Sequence, residues 1–119
     1  MLKIIGQAPS PGSENNPVDS NISFVIKSDA IGIKLSSVIV KINEEVAFLN
    51  GSFKKNFDNS TVEFVNSDLY FSIDRGYDFK LDEFVKVNIT SSNLKNKTYN
   101  EQYVFEIEKS YPVLIKTNL

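Results

Sequence analysis

Four carboxylates crowd one short stretch: Asp74, Asp78, Asp82 and Glu83 all fall between residues 74 and 83. Acidic groups that close can work as an acid/base pair or supply oxygens to calcium. Calcium wants about six to eight converging oxygens, usually from tightly spaced Asp with a Gly at the sharp turn. The order Asp74-Arg75-Gly76-Tyr77-Asp78-Phe79-Lys80-Leu81-Asp82-Glu83 lacks that spacing. The expectation is therefore a solvated acidic loop between strands and no metal site. Nucleophilic catalysis fares no better. The chain has no His and no Cys, so no Ser or Thr has an imidazole base, and thiol chemistry and the usual zinc ligands are gone. No Lys or carboxylate stands in a recognised nucleophile motif. A non-enzyme is expected, with no catalytic residue and no cofactor.

Aromatic and amide groups offer two further chemistries. Tyr70, Tyr77, Tyr99 and Tyr111, with Phe53 and Phe57 flanking Lys54-Lys55, are candidates for a sugar-stacking platform. Without Trp, such residues at a sandwich rim more often pack than stack, so glycan binding is the lesser reading. The triplets starting at Asn21, Asn50, Asn59, Asn88 and Asn96 match the glycosylation pattern. A chain rich in Asn and Ser makes such triplets by chance, and no secretory signal accompanies them. A net charge of −2 gives a nucleic-acid backbone no basic face to bind.

The elements that must position these groups are strands. At 119 residues the chain is one domain's length, with 41% hydrophobic and 24% charged residues, a composition that argues against disorder. No segment approaches the ~20 apolar residues that cross a bilayer as a helix. Alternation of period two dominates. Ile22, Phe24 and Ile26 share one face, as do Val38, Val40 and Ile42. Leu69, Phe71 and Ile73 form a third set, Val85, Val87 and Ile89 a fourth, and Tyr103, Phe105 and Ile107 a fifth. Weaker strands are expected at Leu2–Ile5, as an edge, at Val46–Leu49 and at Thr61–Val65. Asn50-Gly51 marks a tight hairpin, because both central positions of a type I′ turn need positive φ. Asn66-Ser67-Asp68 should turn Thr61–Val65 back onto Leu69–Ile73. Ser13–Ser20, bounded by prolines, reads as a surface loop, and Leu81–Phe84 as a single helical turn. Seven to nine antiparallel strands point to a two-layer sandwich, with a closed small barrel as the main competitor, and Phe24, Val40, Phe71, Val87 and Phe105 should lie in its core.

Residues 9–108 resemble the immunoglobulin-like domains of bacterial surface proteins and bacteriophage structural proteins. The resemblance is carried by Pro9-Ser10-Pro11-Gly12 and Asn16-Pro17-Val18 leading into Ile22–Ile26, and by the loop Ser28-Asp29-Ala30-Ile31-Gly32-Ile33. The strand Ser36–Asn43, the hairpin Ala47–Phe53 and the closing Tyr103-Val104-Phe105-Glu106-Ile107 complete it. The Cys and Trp signature of antibody domains is absent. Ile73-Asp74-Arg75-Gly76 distantly resembles the acidic motif of cadherins, without the companion Asp-Asn-Asp linkers.

The resemblance implies an immunoglobulin-like antiparallel β-sandwich over residues 1–119, with core 9–108 and a C-terminal extension 109–119. It implies a non-catalytic structural or interaction module, above all a bacteriophage virion component of capsid, tail or baseplate. The alternative is an adhesion or spacer domain of a bacterial cell-surface protein, with glycan binding. Expected partners are other protein subunits, copies of itself included, with no nucleic acid and no membrane insertion. The chain starts with Met and shows no secretory signal, so it is expected to remain where it is made or to assemble there, in a virion. A piece of a longer exported protein is the other reading. Tyr111, Val113, Leu114 and Ile115 are the expected partner contacts. They follow the last strong strand, and Val113, Leu114 and Ile115, beyond Pro112, would form a sticky end if left in water.

Overall fold

The strands form where apolar residues alternate, because each sheet has one dry face. In the computed structural model, which describes residues 1–110, nine strands build two sheets. They are β1 (Lys3–Ala8), β2 (Ile22–Lys27), β3 (Ile33–Ile42), β4 (Glu45–Leu49), β5 (Ser52–Phe53), β6 (Thr61–Val65), β7 (Asp68–Ile73), β8 (Phe84–Asn93) and β9 (Thr98–Glu106). One sheet has the order β1-β2-β7-β6 and the other β5-β4-β3-β8-β9. All strand pairs within the sheets are antiparallel. This is the immunoglobulin strand order, with the two additional strands of the variable type beside the central pair. The expected fold class is the one observed.

Phe24, Val40, Phe71, Val87 and Phe105 are all buried, none more than 2% exposed. Phe24 and Phe71 are register partners on β2 and β7, and their rings stack at 5.0 Å. Opposite them, Phe48 on β4 meets Phe71 edge to face at 5.1 Å and closes the layer between the sheets. The hairpins follow turn chemistry. Asn50 and Gly51 have φ of +51° and +81°, as a type I′ turn requires. Asn43 and Glu44, at +50° and +70°, make a second such turn between β3 and β4.

Two expectations fail. Leu81–Phe84 is not a helical turn: Asp82 has φ +66°, outside the helical region, and the chain turns tightly into β8. The short helix is a 3-10 turn at Lys55–Phe57, which drops Phe57 fully into the core. Nor does Ser13–Ser20 begin as a free loop. Gly12 N donates to Val104 O at 2.7 Å, Glu106 N to Ser13 O at 2.8 Å, and Glu108 N to Asn16 O at 2.8 Å. The bridge between Asn16 and Ile107 is parallel. Pro9, Pro11 and Pro17 flank this contact instead of occupying its donor positions, so the segment covers the outer edge of β9.

Candidate binding cleft

The stretch from Asp74 to Glu83 joins β7 to β8 at one end of the sandwich, and three backbone contacts hold its first half. Ser60 Oγ accepts from Asp74 N at 2.8 Å. Gly76 N donates to Asn56 O at 2.7 Å, and Phe79 N donates to Val18 O at 2.8 Å. A Cβ at Gly76 would lie 3.1 Å from Asn56 O, so glycine is what lets this approach happen. Phe79 is buried and packs edge to face on Phe105. The loop is thereby fixed to the core, and its remaining side chains are presented from a firm base.

Arg75 is the centre of what they present. Its guanidinium carbon lies 3.9 Å from the centroid of the Tyr77 ring and 4.6 Å from that of Phe79. The Tyr77 hydroxyl donates to Glu45 Oε1 at 2.7 Å, and Asn56 Nδ2 donates to Glu45 Oε2 at 2.8 Å. The Asn56 amide, then the Tyr77 hydroxyl and the Arg75 charge, hold the Glu45 carboxyl below the usual carboxylate range. The ring that carries Arg75 is itself anchored, so the guanidinium is placed before any ligand arrives.

Two of its nitrogens, Nε and Nη1, are buried and have no hydrogen-bond partner. Buried donors are nearly always paired, so this is an uncommon arrangement. Arg75 lines a cavity of about 100 Å³ together with Val18, Asp19, Asp74, Tyr77 and Asp78. Among the described residues the ion pairs are Lys27–Asp68, Lys86–Glu44 and Lys109–Glu106. None involves Arg75 or the three aspartates of the cleft. The cleft thus carries charges of both signs that are not paired with one another.

The four carboxylates singled out in the sequence separate. Asp74 and Asp78 line the cleft. Asp82 accepts from Ser110 N, and Glu83 accepts from Asn43 Nδ2 at 2.6 Å and from Lys80 N at 2.7 Å. Among the described residues no group of three or more His, Cys, Asp or Glu is arranged to hold a metal ion. The aromatic candidates also scatter. Phe53 packs on Phe48, Phe57 is in the core, Tyr99 is half-buried against it, and Tyr70 stands on the outer face of the other sheet. Tyr111, Val113, Leu114 and Ile115 lie outside the described residues.

The sequence marks Arg75 in one respect. It is the only arginine in a chain with twelve lysines, and it sits between Asp74 and the Gly76-Tyr77 pair. A second concavity, of about 250 Å³, lies on the outer face of the five-stranded sheet, where Phe84 is 65% exposed beside Val104.

No protein-family model and no curated protein matches the chain. Among solved structures it is similar to CopC from Methylosinus trichosporium OB3b, with a TM-score of 0.59 at 8% identity, over 95% of this chain and 99% of that one. The likeness is one of fold, and it runs almost the full length of both chains. It corrects the functional expectation. A match to CopC points away from a bacteriophage capsid, tail or baseplate component, and the virion location goes with it. The adhesion or spacer alternative at the bacterial surface gains no support from it either. The sandwich stands; the link to phage and surface proteins does not.

Proposed function

We propose that this chain is a non-catalytic binding module, acting as one domain, that holds a small polar ligand in the cleft around Arg75. The observation that carries the reading is a guanidinium held against Tyr77 and Phe79 that lines the cleft beside Asp19, Asp74 and Asp78 without an ion-pair partner among the described residues. Size limits the ligand. The cavity of about 100 Å³ falls well short of the ~300–1,000 Å³ of drug-sized pockets, so the ligand is small. What the lining supplies is recognition: guanidinium donors, carboxylate acceptors and an aromatic face.

The test is a two-dimensional amide NMR screen of the full chain against small polar compounds. Ligands of the cleft shift the Val18, Gly76, Tyr77 and Phe79 amides, and Arg75→Met weakens them at least about tenfold, a change of ~1.4 kcal/mol. Binders that shift only other parts of the sandwich, and that Arg75→Met leaves alone, would overturn the reading.

A further inference from the structure

We infer that the apolar concavity on the outer face of the five-stranded sheet is the seat of this chain's own C-terminal segment, Tyr111–Leu119. Val113, Leu114 and Ile115 would then lie against Phe84 and Val104. The concavity, of about 250 Å³, is lined by these last two residues with Gly12, Ser13, Glu14 and Glu106. Phe84 is 65% exposed and Val104 39%. Apolar groups gathered in one hollow, instead of scattered singly, mark a contact surface. Its wall is already firm. Gly12 N donates to Val104 O and Glu106 N to Ser13 O, so the strap of residues 12–14 is fixed to β9 before anything enters.

The chain itself leads to the spot. Ser110 N donates to the Asp82 carboxyl oxygens at 3.4 and 3.3 Å, which holds the chain at a residue two positions from Phe84. Lys109 Nζ pairs with Glu106 Oε1 at 2.8 Å on the rim of the hollow. Glu106 first, then Asp82 and Glu14, raise the Lys109 pKa above its ordinary value, so this end of the chain lies within the field of that rim. Nine residues follow Ser110, and extended at ~3.3 Å each they reach about 30 Å, against ~20 Å for the six positions back to Val104. Pro112 supplies the break from the strand that such a return needs, and an apolar run follows it at once.

Charge selects this occupant. Lys116 is the segment's one charged side chain, and its sign suits a rim carrying Glu14 and Glu106. A second copy laid face to face would instead set those carboxylates against their own like. A tethered segment also meets the hollow at a far higher effective concentration than an outside partner does.

The experiment records nuclear Overhauser contacts between methyl groups and rings in the full chain, with trypsin cleavage after Lys116 followed beside it. Contacts from the Val113, Leu114 or Ile115 methyls to the Phe84 ring and the Val104 methyls are expected, and a mixture of labelled and unlabelled copies should show them within one molecule. Phe84→Ser, at an exposed position, and Leu114→Asp, in the segment itself, should each abolish them. Both should speed the cleavage about tenfold, because proteolysis follows the open population. Contacts seen only between copies would seat the segment on a neighbour and overturn the inference. Absent contacts, or cleavage that neither variant changes, would overturn it as well and leave the hollow to an outside partner.

Discussion

Phe71 on β7 touches both sheets at once: it stacks on Phe24 within its own sheet and receives Phe48 from the other at 5.1 Å and 89°. Phe48 and Phe53, a register pair of the facing sheet, both meet Phe71 edge to face, Phe53 at 6.2 Å. Phe71→Ala should therefore cost about 3–5 kcal/mol, against a total of ~5–15 kcal/mol for a domain. Urea unfolding followed by circular dichroism measures it. A loss under ~1 kcal/mol, the size of a surface substitution, would mean that the two layers close elsewhere.

Asn43 ties a turn to the cleft loop's far end. Its side chain accepts from Lys86 N at 2.7 Å and donates to Glu83 Oε2 at 2.6 Å, while its backbone sits at φ +50°. Asn43→Gly removes the side-chain bonds but keeps the backbone comfortable, and should cost about 1–2 kcal/mol. Asn43→Ala should cost about 1 kcal/mol more, because a Cβ opposes the left-handed conformation. Equal losses for the two variants would show that φ at this turn carries no penalty.

These two cases mark what the sequence discloses and what it hides. Alternation placed Phe24 and Phe71 on inward faces, and Asn50-Gly51 announced its turn, since both signals lie within a few residues. The pairing of residues 12–16 with β9 is different in kind, because Asn16 reaches Glu106 across ninety positions and no local pattern records that. The neighbours of Asp82 suggest a helical turn, but its φ is +66° and its backbone N donates to Glu108 O at 2.9 Å, a contact made across the fold. The cleft was half visible. Its carboxylates drew attention as a cluster, whereas the chemistry depends on which of them the loop sends toward Arg75 and which become turn caps.

Acid should release one anchor in particular. Asp68 accepts from Ser28 N at 2.8 Å and from Lys27 Nζ at 3.3 Å. The Ser28 amide first, and the Lys27 charge with it, hold its carboxyl below the ordinary value. A folded pKa lowered in this way contributes stability above the unfolded value of about 3.9 and loses it as pH falls through the folded one. Melting temperatures measured from neutral to acid pH should fall more steeply for wild type than for Asp68→Asn below about pH 4. Parallel acid limbs would remove Asp68 from the list of groups that respond.

Arg75 gives the sharpest contrast between a structural part and a binding part. Its two ring contacts are worth about 0.5–1 kcal/mol each, and its two buried, unpartnered donors cost about 1–3 kcal/mol each. The costs outweigh the gains. Arg75→Met keeps a long apolar stem against Tyr77 and Phe79 and discards the donors, so the variant should be as stable as wild type or more so. At roughly 4–8 °C per kcal/mol for a domain near this size, the melting temperature should hold or rise by a few degrees. A structural arginine behaves the other way, since removing it leaves a hole in the network that it supported. A fall of more than about 1 kcal/mol, beyond what surface substitutions cause, would assign Arg75 to the architecture of the loop. Stability retained together with ligand binding lost is the combination that a recognition residue produces, and scanning calorimetry beside the amide titration reads both from one protein sample.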